Sequence, residues 1–264
     1  MWRSDPDRVD VASGTMAERI FPSFDGVELA VHEMGQGGRP LVLLHGLFSN
    51  AHTNWIRFGH AARLAEAGFH LFMPDLRAHG KSAAPHDPAA YPADVLLSDA
   101  RYLIEWLGLS DFDLGGFSLG ARTVAHLLAD GIRPRRAILA GMGLQGLSGW
   151  AKRRDHFRNV IAHYDTARRG DSEWMAVQFM KTTGIDKIAV GHLLGSFSDL
   201  EPKRLGNVDL PVQVLCGHDD RDNGDPEALA ALLPQGELTW IPGDHMGCVV
   251  KPELGQAMVD FLHG

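Results

Sequence analysis

From Arg19 onward, short β-rich runs alternate with helix-length stretches, and that alternation limits the chain to few architectures. Residues 19–24 and 27–34 read as strands joined by a tight turn at Asp25-Gly26. Residues 40–45 (PLVLLH) are an apolar run ending at Gly46, the pattern of a strand buried on both faces. A helix is expected over 53–67, closed by Gly68, then a strand over 70–76 and a helix over 93–107. The order continues with strand 111–117, helix 119–130 and strand 136–140. Strands 211–216 and 237–241 precede helices 226–233 and 252–262, both opening on proline, which suits the first helical position. Such a succession predicts an α/β chain with a mostly parallel sheet covered on both faces and the leading hairpin as an antiparallel edge.

One segment breaks the rhythm. Between 141 and 206 the periodicity is helical, with candidate helices at 150–164, 172–182 and 186–195. That is far longer than an ordinary crossover, so 141–206 reads as a helical lid inserted into a core formed by 19–140 and 207–264. Residues 1–18 are polar and charged, lack the apolar stretch of a signal peptide, and are expected to be a flexible extension. No run approaches the length of a membrane span, so a cytoplasmic location is expected. Lys plus Arg number 25 against 33 Asp plus Glu, a net charge of −8, which argues against nucleic-acid or anionic-membrane partners. The expected partner is a small-molecule substrate, with the chain monomeric or homodimeric. Two cysteines, Cys216 and Cys248, supply neither a disulfide framework nor a four-thiolate metal site.

The chemistry centres on Gly116-Phe117-Ser118-Leu119-Gly120, a G-x-S-x-G motif where a strand gives way to a helix. A serine on such a turn projects its hydroxyl from a strained backbone, and the free N–H groups of the following helix are placed to hold an oxyanion. A simpler reading makes Ser118 a helix N-cap, but that leaves two other loops unexplained. The hydroxyl needs a base, and of 14 histidines His245 is best placed, in a loop (PGDHM, 242–246) directly after the last strand. That loop opens at the same carboxyl edge of a parallel sheet as Ser118. His156, His163 and His192 read as lid-helix residues, and His52, His60, His86 and His263 as surface ones. The base needs a carboxylate, and Gly217-His218-Asp219-Asp220 puts two acids at that edge. After the central strand, His45-Gly46-Leu47 brings the Leu47 N–H forward to join that of Leu119 as an oxyanion donor, with His45 as a buried structural hydrogen-bonder.

Taken together, LLHG (43–46), DLRAHGKS (75–82), LGGFSLGA (114–121), GHDD (217–220) and GDHM (243–246) resemble the α/β-hydrolase superfamily from about residue 19 to the C-terminus. The second motif departs from the usual D-x-R-G-H-G-x-S by Ala78. The resemblance implies a three-layer fold with an eight-stranded sheet and a helical lid after the sixth strand. It also selects Asp220 over Asp219, giving a Ser118–Asp220–His245 triad with Leu47 and Leu119 as oxyanion-hole amides. The implied activity is hydrolysis of a carboxylic ester or related acyl bond. Epoxide hydrolases and haloalkane dehalogenases carry a carboxylate where Ser118 stands, which argues against both. Carbon–carbon bond hydrolases, cofactor-free haloperoxidase-like enzymes and a non-catalytic ligand receptor are the alternatives. Of the apolar lid residues, Trp150 and Trp174, with Met246, are expected to meet a largely apolar substrate, whereas Arg153, Arg154, Arg168 and Arg169 read as exposed helix-end charges. No phosphate loop, dinucleotide fingerprint or metal-spaced cluster occurs, and Asp219, Asp220, Asp222 and Asp225 lack calcium-loop spacing, so no cofactor and no metal are expected.

Overall fold

In the computed structural model, which describes residues 9–11 and 14–264, nine strands form one sheet, one more than the eight expected, because Val9–Val11 adds a strand at the edge. At one edge β1 (Val9–Val11), β2 (Gly14–Pro22) and β3 (Glu28–Met34) run antiparallel. The others, β4 (Arg39–Leu44), β5 (Phe69–Pro74), β6 (Asp113–Phe117), β7 (Ala137–Ala140), β8 (Val212–Gly217) and β9 (Gly236–Ile241), are parallel. The spatial order is β1-β2-β3-β5-β4-β6-β7-β8-β9, with β3 antiparallel to β5.

β4 shows why the sheet is buried on both faces. Leu41 and Leu43 join one apolar core, Val42 and Leu44 the other, and none of the four is exposed. Each such burial contributes roughly 1.5–3 kcal/mol as an upper estimate, so this run fixes β4 near the centre. On the Leu41 side α1 (His60–Glu66) and α8 (Pro252–His263) cover the sheet through Leu64, Met258 and Phe261. On the other side lie α2 (Val95–Trp106), α3 (Leu119–Ala129) and α7 (Pro226–Leu232). Between β7 and β8 come α4 (Trp150–Ala162), α5 (Trp174–Thr183) and α6 (Lys187–Gly195), and no strand of the sheet falls in this segment among the described residues. Their apolar faces, including Val160, Val177, Met180, Val190 and Leu193, belong to the same core as α3.

Three local expectations are corrected. The flexible extension expected over 1–18 is ordered where described: Val9–Val11 pairs with β2, which begins at Gly14, while residues 1–8, 12 and 13 lie outside the described residues. Met16 to Pro22 pair with β3, so the ladder extends the strand upstream of its first apolar residues. The Asp25-Gly26 turn is a wider loop, closed by hydrogen bonds from Ser23 N to Val27 O and from Gly26 N to Ser23 O. The helix expected over 53–67 is two pieces. A single wide turn, His52–Ile56, holds the fully buried Trp55, and Gly59 at φ +81° redirects the chain into α1. A continuous apolar stripe does not reveal such a break, because both pieces face the same core.

Candidate active site

β6 ends at Phe117 and α3 begins at Leu119, leaving Ser118 alone on the turn with φ 52° and ψ −109°. That conformation is strained for a residue with a side chain and persists only where its surroundings enforce it. Here they do. Ser118 N–H donates to the Ala140 carbonyl of β7 at 2.8 Å, and Arg122 N–H donates to the Ser118 carbonyl at 2.9 Å. The flanking glycines are steric requirements: a Cβ on Gly116 would sit 2.3 Å from the Gly120 carbonyl carbon, and one on Gly120 only 2.0 Å from the Leu44 carbonyl oxygen. The motif therefore lets α3 descend onto the end of β4 while Ser118 projects from the sheet.

Two further loops meet the serine from β8 and β9. They are tied together by hydrogen bonds from His218 N to Ile241 O and from Asp219 N to Gly243 O. His245 Nδ1 lies 2.8 Å from Asp220 Oδ2, and its Nε2 lies 3.0 Å from Ser118 Oγ. The Asp220 carboxylate fixes Nδ1 as the protonated nitrogen, so Nε2 is left to accept the serine proton. Asp220 Oδ1 accepts from the Asp222 amide at 3.0 Å. Burial pushes the Asp220 carboxyl up, but the His245 hydrogen bond and charge, the Asp222 amide and Arg221 outweigh it and hold it below its ordinary value. Asp219, by contrast, is exposed. The two thiols are no rival nucleophiles: Cys216 and Cys248 are buried, which raises each to about 12.

The loop after β4 supplies the opposite wall. Leu47 and Leu119 line one cavity together with Ser118, and among the described residues neither amide N–H has a protein acceptor. Two buried imidazoles shape this loop. His45 Nδ1–H donates to the Gly46 carbonyl at 2.8 Å and its Nε2 accepts from Leu76 N–H at 2.9 Å. His79 Nδ1–H donates to the Arg77 carbonyl at 3.0 Å and its Nε2 accepts from Phe48 N–H at 3.1 Å. Both rings serve as acceptors and are neutral. Burial lowers His45, and burial, with the His45 ring beside it disfavouring a second proton, lowers His79 to about 3. Asp75 anchors the same region, accepting from the amides of Ala51 and Lys81, each at 2.8 Å, and from His32 Nε2 at 3.1 Å.

Ser118 lies between two cavities. One, about 290 Å³, is lined by Arg122, Met142, Trp150, Arg153, Phe157 and Asn223. The other, about 310 Å³, is lined by Thr53, Phe117, Phe179, His245, Met246 and Val249. Trp150 and Met246 thus stand on these walls. Trp174 does not: it opens α5, whereas Phe179, roughly 7.5 Å further along the helix, reaches the second cavity. Arg153 is corrected too, being half-buried on a cavity wall instead of exposed. Arg122 is a further wall residue that no motif singles out, although its spacing of four from Ser118 at the start of a helix places both on one face.

Residues 39–139 match the sequence profile of the family described as alpha/beta hydrolase fold. Among curated relatives, the chain is 32% identical over 111 residues to epoxide hydrolase A of Mycobacterium tuberculosis, covering 42% of this chain and 34% of that protein. It is 33% identical over 252 residues to the dihydrolipoyllysine-residue acetyltransferase component of the acetoin cleaving system of Pseudomonas putida, covering 86% of this chain and 64% of that protein. The matched segments thus span between about a third and two thirds of those relatives' lengths. An esterase from Exiguobacterium antarcticum superposes with a TM-score of 0.76 at 19% identity, covering 93% of this chain and 99% of the other.

Proposed function

Because this chain belongs to the α/β-hydrolase superfamily, we propose that it is a serine hydrolase cleaving a carboxylic ester or related acyl bond through an acyl-enzyme on Ser118. The observation that carries this reading is the hydrogen-bonded series from Asp220 through His245 to Ser118. His245 Nε2 takes the hydroxyl proton as Oγ attacks the substrate carbonyl carbon. The carbonyl oxygen becomes an oxyanion received by the Leu47 and Leu119 amides. His245 returns the proton to the leaving oxygen, the C–O bond breaks, and the acyl group stays on Oγ. Water then attacks the acyl carbon, with His245 again taking and returning a proton, and the acid is released. α4 and α5 act as a lid, bringing Trp150, Phe157 and Phe179 over the serine.

Residue chemistry separates this reading from the activities of the epoxide-hydrolase relatives. A carboxylate nucleophile opening an epoxide yields an ester that water can cleave, whereas a serine would yield a stable ether. Ser118 therefore supports acyl chemistry. A screen over p-nitrophenyl esters of graded chain length, with lactones and β-diketones included, tests the proposal. Ester turnover that disappears in Ser118→Ala is the expected result. Diketone cleavage without ester turnover points to a carbon–carbon bond hydrolase, and no turnover of any substrate points to a receptor.

A further inference from the structure

The two cavities flanking Ser118 differ in charge. His245 lines only the one shared with Phe179 and Met246, while Arg122 and Arg153 line only the other. In an acyl transfer the histidine must reach the leaving oxygen, so the leaving group occupies the His245 side. The acyl part is left with the arginine side.

That side is built around cations without a salt-bridge partner, with Asp199 and Asp94 acting on Arg122, and Asp222 and Asp220 on Arg153, only from further away. Arg122 is 4% exposed, and among the described residues neither it nor Arg153 has a carboxylate within salt-bridge reach. Nη2 of Arg122 donates to the Ser198 carbonyl, but its buried Nε has no partner. Trp150 and Phe197, packed edge to face on each other, lie beside the guanidinium with ring centroids 5.4 and 6.0 Å away. Arg153 is fixed through a 3.2 Å hydrogen bond to the Asp222 carbonyl and lies 6.0 Å from the Phe157 ring centroid. Burial lowers both groups from their ordinary values, Arg122 to about 10. A buried guanidinium without an anion is costly, and a planar donor fork is suited to a carboxylate.

Resting on the serine-hydrolase reading, we infer that the Arg122–Arg153 cavity binds the acyl part of the substrate and that this part ends in an anion, as in a half-ester of a short dicarboxylic acid. Arg122 and Arg153 act as specificity residues: they grip the far end of the acyl chain and leave the chemistry to Ser118 and His245.

The test compares kcat/KM for mono-p-nitrophenyl glutarate and p-nitrophenyl pentanoate, each above its uncatalysed rate. The wild-type chain is expected to prefer the glutarate by roughly tenfold or more, as one charge-assisted hydrogen bond provides. Arg153→Met and Arg122→Lys should each reduce that preference, and Lys152→Met, which removes an exposed cation from the same helix, should retain it. In the reverse pair, 4-carboxyphenyl pentanoate should have no advantage over phenyl pentanoate. Glutarate should also slow labelling of Ser118 by a fluorophosphonate, a readout independent of turnover. An equal or greater rate with pentanoate, a preference unchanged in both arginine variants, a preference for the 4-carboxyphenyl ester, or labelling indifferent to glutarate overturns the inference alone. Failure of Ser118 to label at all overturns the serine-hydrolase reading beneath it.

Discussion

The Phe48 amide donates to Nε2 of His79 across 3.1 Å, and the Phe48 carbonyl accepts from Thr183 Oγ1 of α5 at 2.7 Å. Phe48 sits at φ 60°, a conformation costing a bulky residue about 1–3 kcal/mol, so both bonds hold a strained peptide in place. The adjacent Leu47 lines the Ser118 cavity, and in the proposed reaction its amide is an oxyanion donor. His79→Ala removes the acceptor and releases the loop. Its kcat on an ester should fall by about 10²-fold with a smaller effect on KM, as for loss of an oxyanion donor, and His79→Gln should recover part of the loss.

Asp220 and its neighbour Asp219 should separate cleanly. Asp220→Asn presents an amide to His245 and favours the wrong tautomer, so kcat should drop by about 10⁴-fold while the chain stays folded. Asp219→Asn changes an exposed side chain and should alter stability by no more than about 0.5 kcal/mol. Steady-state kinetics and thermal melting of the two variants check both statements.

Gly120→Ala should be among the most damaging single changes. The added Cβ would meet the Leu44 carbonyl oxygen at 2.0 Å, and neither backbone can yield without displacing α3 from β4. Destabilisation of about 3 kcal/mol or more is expected, read as a large fall in Tm or loss of soluble protein.

Much of this arrangement is legible in the residues, and its limits are physical. Ser118, His245 and the β8 acids lie on short loops directly after strands, so alternation alone places them at one sheet edge. Choosing Asp220 over Asp219 required either family likeness or the 2.8 Å contact, since neighbouring loop residues share no periodicity. The cavity walls were harder to read. Helical spacing says that Trp174 and Phe179 lie on α5, but not which end of that helix approaches the serine. Arg122 packs against the Trp150–Phe197 pair, residues far from it in the chain, and no local pattern announces that.

Acid should destabilise the fold in two stages. His79 has a folded value of about 3 against an ordinary 6.5, so it stays neutral while the unfolded chain gains a proton. The stability it contributes is complete above pH 6.5 and is lost as pH falls toward 3, at up to about 1.4 kcal/mol per pH unit. His126, lowered by burial and Arg122 to about 4, acts in the same direction. Asp75 is raised by burial, but the hydrogen bonds it accepts from His32 and from the Lys81 amide bring it down to about 2. Its contribution is present above pH 3.8 and disappears as pH falls through 2. Urea midpoints measured between pH 7 and 3 should therefore decline, with a shallower slope in His79→Gln.

The most direct test of the central claim is intact-mass analysis after exposure to a fluorophosphonate. The wild-type chain should gain one phosphonyl adduct mapped to Ser118, His245→Ala should label far more slowly, and Ser118→Ala should gain none. An unlabelled wild-type chain, or an adduct that persists in Ser118→Ala, would contradict Ser118 as the nucleophile.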